Sequence, residues 1–114
     1  MVVYAIETPA EFTEKAINSK KQVTVMFFRE RSPPCKMMRL AFQKLSEDYP
    51  SIEFCNVDVD DLDQLTADWG VTSFPTFLFF KDGAQLNNFT VCGALTSNIV
   101  NVLEDMSQSD DEQV

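Results

Sequence analysis

A chain of 114 residues, 45% of them hydrophobic, suits one compact domain with one core and is too short for two. Eighteen acidic residues against nine basic ones leave a net charge of −9, which repels phosphate backbones and anionic lipid, so neither nucleic acid nor a membrane is an expected partner. The chain has no histidine, which removes Ser-His and Cys-His catalytic pairs and every metal site built on imidazole.

The three cysteines, Cys35, Cys55 and Cys92, are an odd number without metal-type spacing and suit a reducing compartment. No metal and no cofactor is expected. Met1 to Phe12 lacks a basic segment followed by a long apolar stretch, and the longest apolar runs are strand-sized. A cytoplasmic protein, monomeric by default, is therefore the expectation.

In chain order, Val2 to Ile6 alternates as a first strand. Thr8-Pro9-Ala10-Glu11 then has the residue types of a capping box, with proline at the first helical position, and predicts a helix to about Ser19. Val23 to Phe28 is apolar at nearly every position, the pattern of a central strand covered on both faces. After Arg29-Glu30-Arg31, Pro33 and Pro34 suit a helix start, and a helix is expected from Cys35 to Tyr49 with Met38, Phe42, Leu45 and Tyr49 on one side.

Ile52 to Val59 reads as another internal strand. Asp60 or Asp61 is expected to cap a short helix through Trp69, with Gly70 ending it in a left-handed conformation. Thr76 to Phe80 and Gln85 to Val91 flank Asp82-Gly83, a hairpin signal. Thr96 is the expected cap of a last helix carrying Ile99, Leu103 and Met106, and residues 107–114 form an acidic tail expected to fray. The order βαβαβαββα combines crossover connections with a final hairpin, which predicts an α/β domain over residues 1–106 with a mixed five-stranded central sheet flanked by four helices.

Four fragments in register carry a resemblance: Val23-Thr24-Val25-Met26-Phe27-Phe28, Pro34-Cys35-Lys36-Met37, Val57-Asp58-Val59-Asp60 and Phe74-Pro75-Thr76-Phe77. In this order the sequence resembles the thioredoxin family over residues 1–106, which implies the thioredoxin fold. Thioredoxins carry Trp-Cys-Gly-Pro-Cys where this chain has Arg31-Ser32-Pro33-Pro34-Cys35. The resemblance thus implies that Ser32 replaces the nucleophilic first cysteine, whose exposed thiolate at a helix N-terminus attacks substrate disulfides. A serine hydroxyl cannot form a disulfide, so dithiol-disulfide oxidoreductase activity is expected to be absent or very weak. Met26 stands where the family usually buries a proton-accepting acid, and Arg31 where it places tryptophan.

The same resemblance implies a cis peptide at Phe74-Pro75 and a groove in which the backbone beside Pro75 pairs with an extended substrate segment. Arg31, Pro33, Pro34, Phe74, Pro75, Gly93 and Ala94 are then the candidate binding residues, and the expected partner is a protein or extended peptide. The alternative is a monothiol redox role, in which Cys35 forms mixed disulfides with glutathione or a partner in cell redox homeostasis. A packed, inert Cys35 fits the residues equally well. Cys55 reads as a core residue. Cys92 reads as a β-edge cysteine, or as a thiol near Cys35, or as an exposed dimerisation point. Arg29, Lys36 and Arg39 either favour acidic partners or serve as helix-surface solubility.

Overall fold

The computed structural model of the chain describes residues 3–112, with side chains described through Ser107. Six strands form one sheet: β1 (Val3–Ile6), β2 (Gln22–Phe28), β3 (Ile52–Asp58), β4 (Thr76–Lys81), β5 (Ala84–Gln85) and β6 (Val91–Cys92). Four helices accompany them: α1 (Pro9–Phe12, widening into a π-turn at Thr13–Ile17), α2 (Pro33–Asp48), α3 (Asp63–Asp68) and α4 (Thr96–Glu112). The strand order is β1-β3-β2-β4-β5, with β6 also on β4; β1, β3 and β2 run parallel and β4 is antiparallel to β2. Crossover helices make the parallel part and a hairpin makes the antiparallel part, as the element order requires.

The expected strand Gln85 to Val91 is broken in two. Leu86 donates its N–H to Phe79 O at 2.7 Å, and a tight turn at Asn87–Phe89 then lifts the chain off the sheet before β6 rejoins β4. Leu86 and Phe89 gain packing against the core from this detour. The expected hairpin is present: Asp82 and Gly83 have φ of 52° and 82°, the positive pair of a tight two-residue turn.

Gly83 is needed for a second reason, because a Cβ there would overlap the Ile17 carbonyl oxygen. Gly83→Ala is expected to destabilise the fold by about 2 kcal/mol through that overlap and the positive φ, read as a lowered midpoint of urea unfolding.

β2 is buried along its whole length, so both faces of the sheet carry core. One face holds Met26, Cys35, Met38, Phe42, Phe54, Phe77, Phe79, Ile99 and Leu103 beneath α2 and α4. The other holds Phe12, Val25, Phe27, Cys55, Val57, Leu78 and Phe80 beneath α1 and α3.

Helix ends follow local chemistry, with several differences from expectation. Thr8 caps α1 as expected, its hydroxyl accepting from Glu11 N at 3.1 Å. Neither Asp60 nor Asp61 caps α3; Leu62 precedes it, and Asp58 accepts from Asp60 N at 3.0 Å, folding the acidic stretch into its own turn. Gly70 does end α3 at φ 69°. Thr96 lies inside α4 with its hydroxyl 3.8 Å from Met38 Sδ, and Leu95 O accepts from Asn98 N instead. α4 also continues through Glu112, past the Met106 boundary expected from sequence. The last two residues of the expected tail lie outside the described residues.

Candidate functional site

The site is assembled where β2 ends and α2 begins. The central strand must leave the sheet at Arg29, and two prolines then serve as the first two residues of α2, where their missing N–H groups cost nothing. Ser32 is the N-cap, with extended backbone and its hydroxyl 3.5 Å from Cys35 N. The helix therefore begins at Pro33, two residues before the position expected from sequence.

Cys35 faces inward and is 0% exposed. Its sulfur accepts the Arg29 backbone N–H at 3.4 Å. Arg31, Pro33 and Pro34 are exposed on the outside of the same turn, and Ser32 is half-buried.

The second half comes from the loop before β4. The Phe74-Pro75 peptide is cis. Pro75 is buried and its carbonyl accepts from Gly93 N at 2.9 Å, tying this loop to the segment after β6. Gly93 has φ 98°, a conformation that favours glycine, and Ala94 packs against the core beneath α2. Phe74 is half-buried, with the Arg29 guanidinium 4.8 Å from its ring centre. Arg29 also approaches Asp60 Oδ1 at 3.4 Å.

One residue thus touches both halves: Arg29 holds Cys35 through its backbone and Phe74 through its side chain. Sequence reasoning placed Arg29 only in a basic cluster. No spacing rule reveals it, because its two contacts arise from the meeting of α2 with the loop before β4.

The structure separates the thiols. Cys92 pairs in register with Thr76, its sulfur 3.7 Å from Thr76 Oγ1, beside residues of the α1 and α3 face. Cys35 belongs to the opposite face of the sheet, so the reading of Cys92 as a neighbour of Cys35 is corrected. Alternation decides this, since Thr76 and Phe77 point to opposite faces. Cys92 is exposed at the sheet edge and Cys55 is core. Burial pushes the Cys55 thiol up to about 12, with the Glu53 carboxylate acting in the same direction. All three are free.

Native protein treated with a thiol reagent at pH 8 is accordingly expected to label rapidly at Cys92 only. Cys92→Ser should leave no fast thiol, and Cys35 and Cys55 should label after denaturation. Peptide mapping by mass spectrometry checks the order.

Among the described residues no group of three His, Cys, Asp or Glu side chains could hold a metal ion. No helix among them is long and apolar enough to cross a membrane.

A mixed sheet between helices, a proline-started helix with a thiol at its third position and a cis-proline loop facing that start together define a thioredoxin-fold domain. The thioredoxin family description matches residues 3–105, and the chain belongs to that family. It is 41% identical to thioredoxin of Equus caballus over 91 residues, covering 78% of this chain and 86% of the relative. It is 35% identical to thioredoxin H-type 2 of Nicotiana tabacum over 81 residues, covering 71% and 69%. Among solved structures, Plasmodium falciparum thioredoxin superposes with a TM-score of 0.84 at 32% identity, covering 90% of this chain and 98% of that one. Trypanosoma brucei brucei thioredoxin reaches a TM-score of 0.87 at 21% identity, covering 94% and 92%, a likeness of fold.

Proposed function

We propose that this protein is a redox-impaired thioredoxin-family module that binds an extended protein segment at the groove formed by the Ser32–Cys35 turn, Phe74-Pro75 and Gly93-Ala94. The observation that carries this reading is the state of the two positions flanking the prolines: Ser32 is a helix cap, and Cys35 is 0% exposed. A disulfide cannot form between an alcohol and a thiol. The groove beside it needs no thiol, because strand addition uses backbone N–H and C=O groups. Arg31, Pro33 and Pro34 supply an exposed rim, and Phe74 supplies a half-buried apolar wall. Three unpaired cysteines suit a reducing cytoplasm as the place of action.

The alternative, a monothiol protein acting through Cys35, is favoured by the Arg29 N–H on the sulfur and opposed by the burial of that sulfur. Incubation with oxidised glutathione followed by intact-mass analysis separates the two. The interaction reading expects no adduct at Cys35; a stoichiometric adduct there, lost in Cys35→Ser, overturns it. Affinity capture in the presence and absence of dithiothreitol should recover the same partners in both, and Phe74→Ala with Arg31→Glu should release them. Partners seen only without reductant would assign the site to thiol chemistry.

A further inference from the structure

On the other side of α2 lies a second groove, which the proposed function does not use. Its floor is the row Ala5, Asn56 and Met26, aligned across β1, β3 and β2, with Val3 at its end and Phe42 behind. Its roof is Lys36, Arg39, Leu40 and Gln43, spaced i, i+3, i+4 and i+7, so they form one stripe of α2. The groove has a volume of about 510 Å³ and is open to solvent. It opens over the small side chains of Ala5 and Asn56 on β1 and β3, beside the buried Met26 of β2.

Three features of this groove converge. The outer edge of β1 is unpaired, since β1 bonds only to β3 among the described strands, and its sequence Val-Tyr-Ala-Ile carries neither the lysine nor the proline that commonly guards an edge. Leu40 is 76% exposed, a large apolar side chain held at the groove mouth. The stripe carries two cations and no acid, in a chain whose acidic residues outnumber its basic ones two to one. Arg39 is already oriented, its guanidinium 4.9 Å from the Phe28 ring centre and 3.7 Å from Glu30 Oε1; Lys36 makes no ion pair among the described residues.

We infer that this groove is a docking site for an extended acidic segment of a partner protein, which adds to the β1 edge as a strand and places its carboxylates under Lys36 and Arg39 and an apolar side chain against Leu40. A strand as short as β1 offers few main-chain bonds, so charge supplies the selectivity. Charge also argues against a second copy as occupant. Two chains joined edge to edge would bring equally basic stripes together, while the rest of each chain is strongly acidic.

The test is an NMR titration of ¹⁵N-labelled full-length protein with a synthetic peptide of alternating glutamate and valine. Amide shifts are expected at residues 3–6, 36–43 and 56, with affinity falling as salt rises to about 150 mM. Lys36→Glu with Arg39→Glu should weaken binding about tenfold or more, and Leu40→Ser about threefold. All three positions are exposed, and circular dichroism confirms that the variants remain folded. Shifts confined to residues 74–76 and 93–94 would overturn the proposal in favour of the other groove. Equal binding by a lysine-valine peptide, or by an acidic peptide interrupted with prolines, would overturn it as well, the first denying charge selection and the second denying strand addition. A concentration-dependent dimer abolished by proline at Ala5 would give the edge to a second copy instead.

Discussion

Reduction of insulin by dithiothreitol is expected to proceed at its background rate in the presence of this protein and to accelerate when Ser32 is replaced by cysteine. In the wild type the exposed end of α2 presents a hydroxyl already engaged as a helix cap, and the thiol three residues on is fully buried. In Ser32→Cys the new thiol stands at the helix N-terminus, where the macrodipole favours its thiolate, with Cys35 one turn behind as the resolving partner.

The recovery should be partial. Pro33 and Pro34 withhold two backbone N–H groups that would otherwise face the thiolate, and Met26 offers no proton acceptor for Cys35. A positioned base is commonly worth on the order of 10²-fold or more, and the variant should fall short of a complete dithiol centre by that order. Robust turnover by the wild type would defeat the reading of a redox-impaired module.

Met26→Asp is expected to cost about 3 kcal/mol at pH 7, because a carboxylate replaces a fully buried thioether on the central strand. Lys36 and Arg39 line the same groove, but both are exposed and water screens them. The sign of the pH dependence follows from burial. An unfolded aspartate titrates near 3.9, roughly the model-peptide value, and burial raises the folded value. The folded variant then holds its proton to higher pH than the unfolded chain does, so its deficit relative to the wild type is smallest below about pH 4 and grows as pH rises toward the folded value.

Thermal unfolding should show a deficit on the order of 10 °C at pH 7 that shrinks on acidification. A small, pH-independent deficit would mean that the Met26 position is reached by solvent. Adding Met26→Asp to Ser32→Cys should raise the insulin-reduction rate while lowering the melting midpoint, a pairing that simple loss of stability cannot produce.

Much of this molecule was legible in its residues. The all-apolar run at β2, the capping chemistry of Thr8, the Asp82-Gly83 turn and the glycine after α3 each report a local preference that the fold keeps. The misreadings have a common cause. Asp60 and Asp61 have capping chemistry, but Asp58 captures the nearby backbone first. Gln85 to Val91 alternates well enough for a strand, yet Leu86 and Phe89 gain more by leaving the sheet edge to pack against the core. Thr96 is a good cap by type, but α4 already includes it and its hydroxyl lies against Met38.

The sequence by itself determined the alternation of strands and helices through β4, a helix opening beside the prolines, though placed two residues late, and the absence of cysteine from position 32. Those features depend on backbone freedom and residue chemistry, which act over a few residues. Only the tertiary structure decided that Arg29 joins Cys35 to Phe74, that Cys92 lies across the sheet from Cys35, and that α2 roofs a basic groove over small residues of β1 and β3. Each depends on which face of a strand meets which helix, a matter settled by packing between segments far apart in the chain.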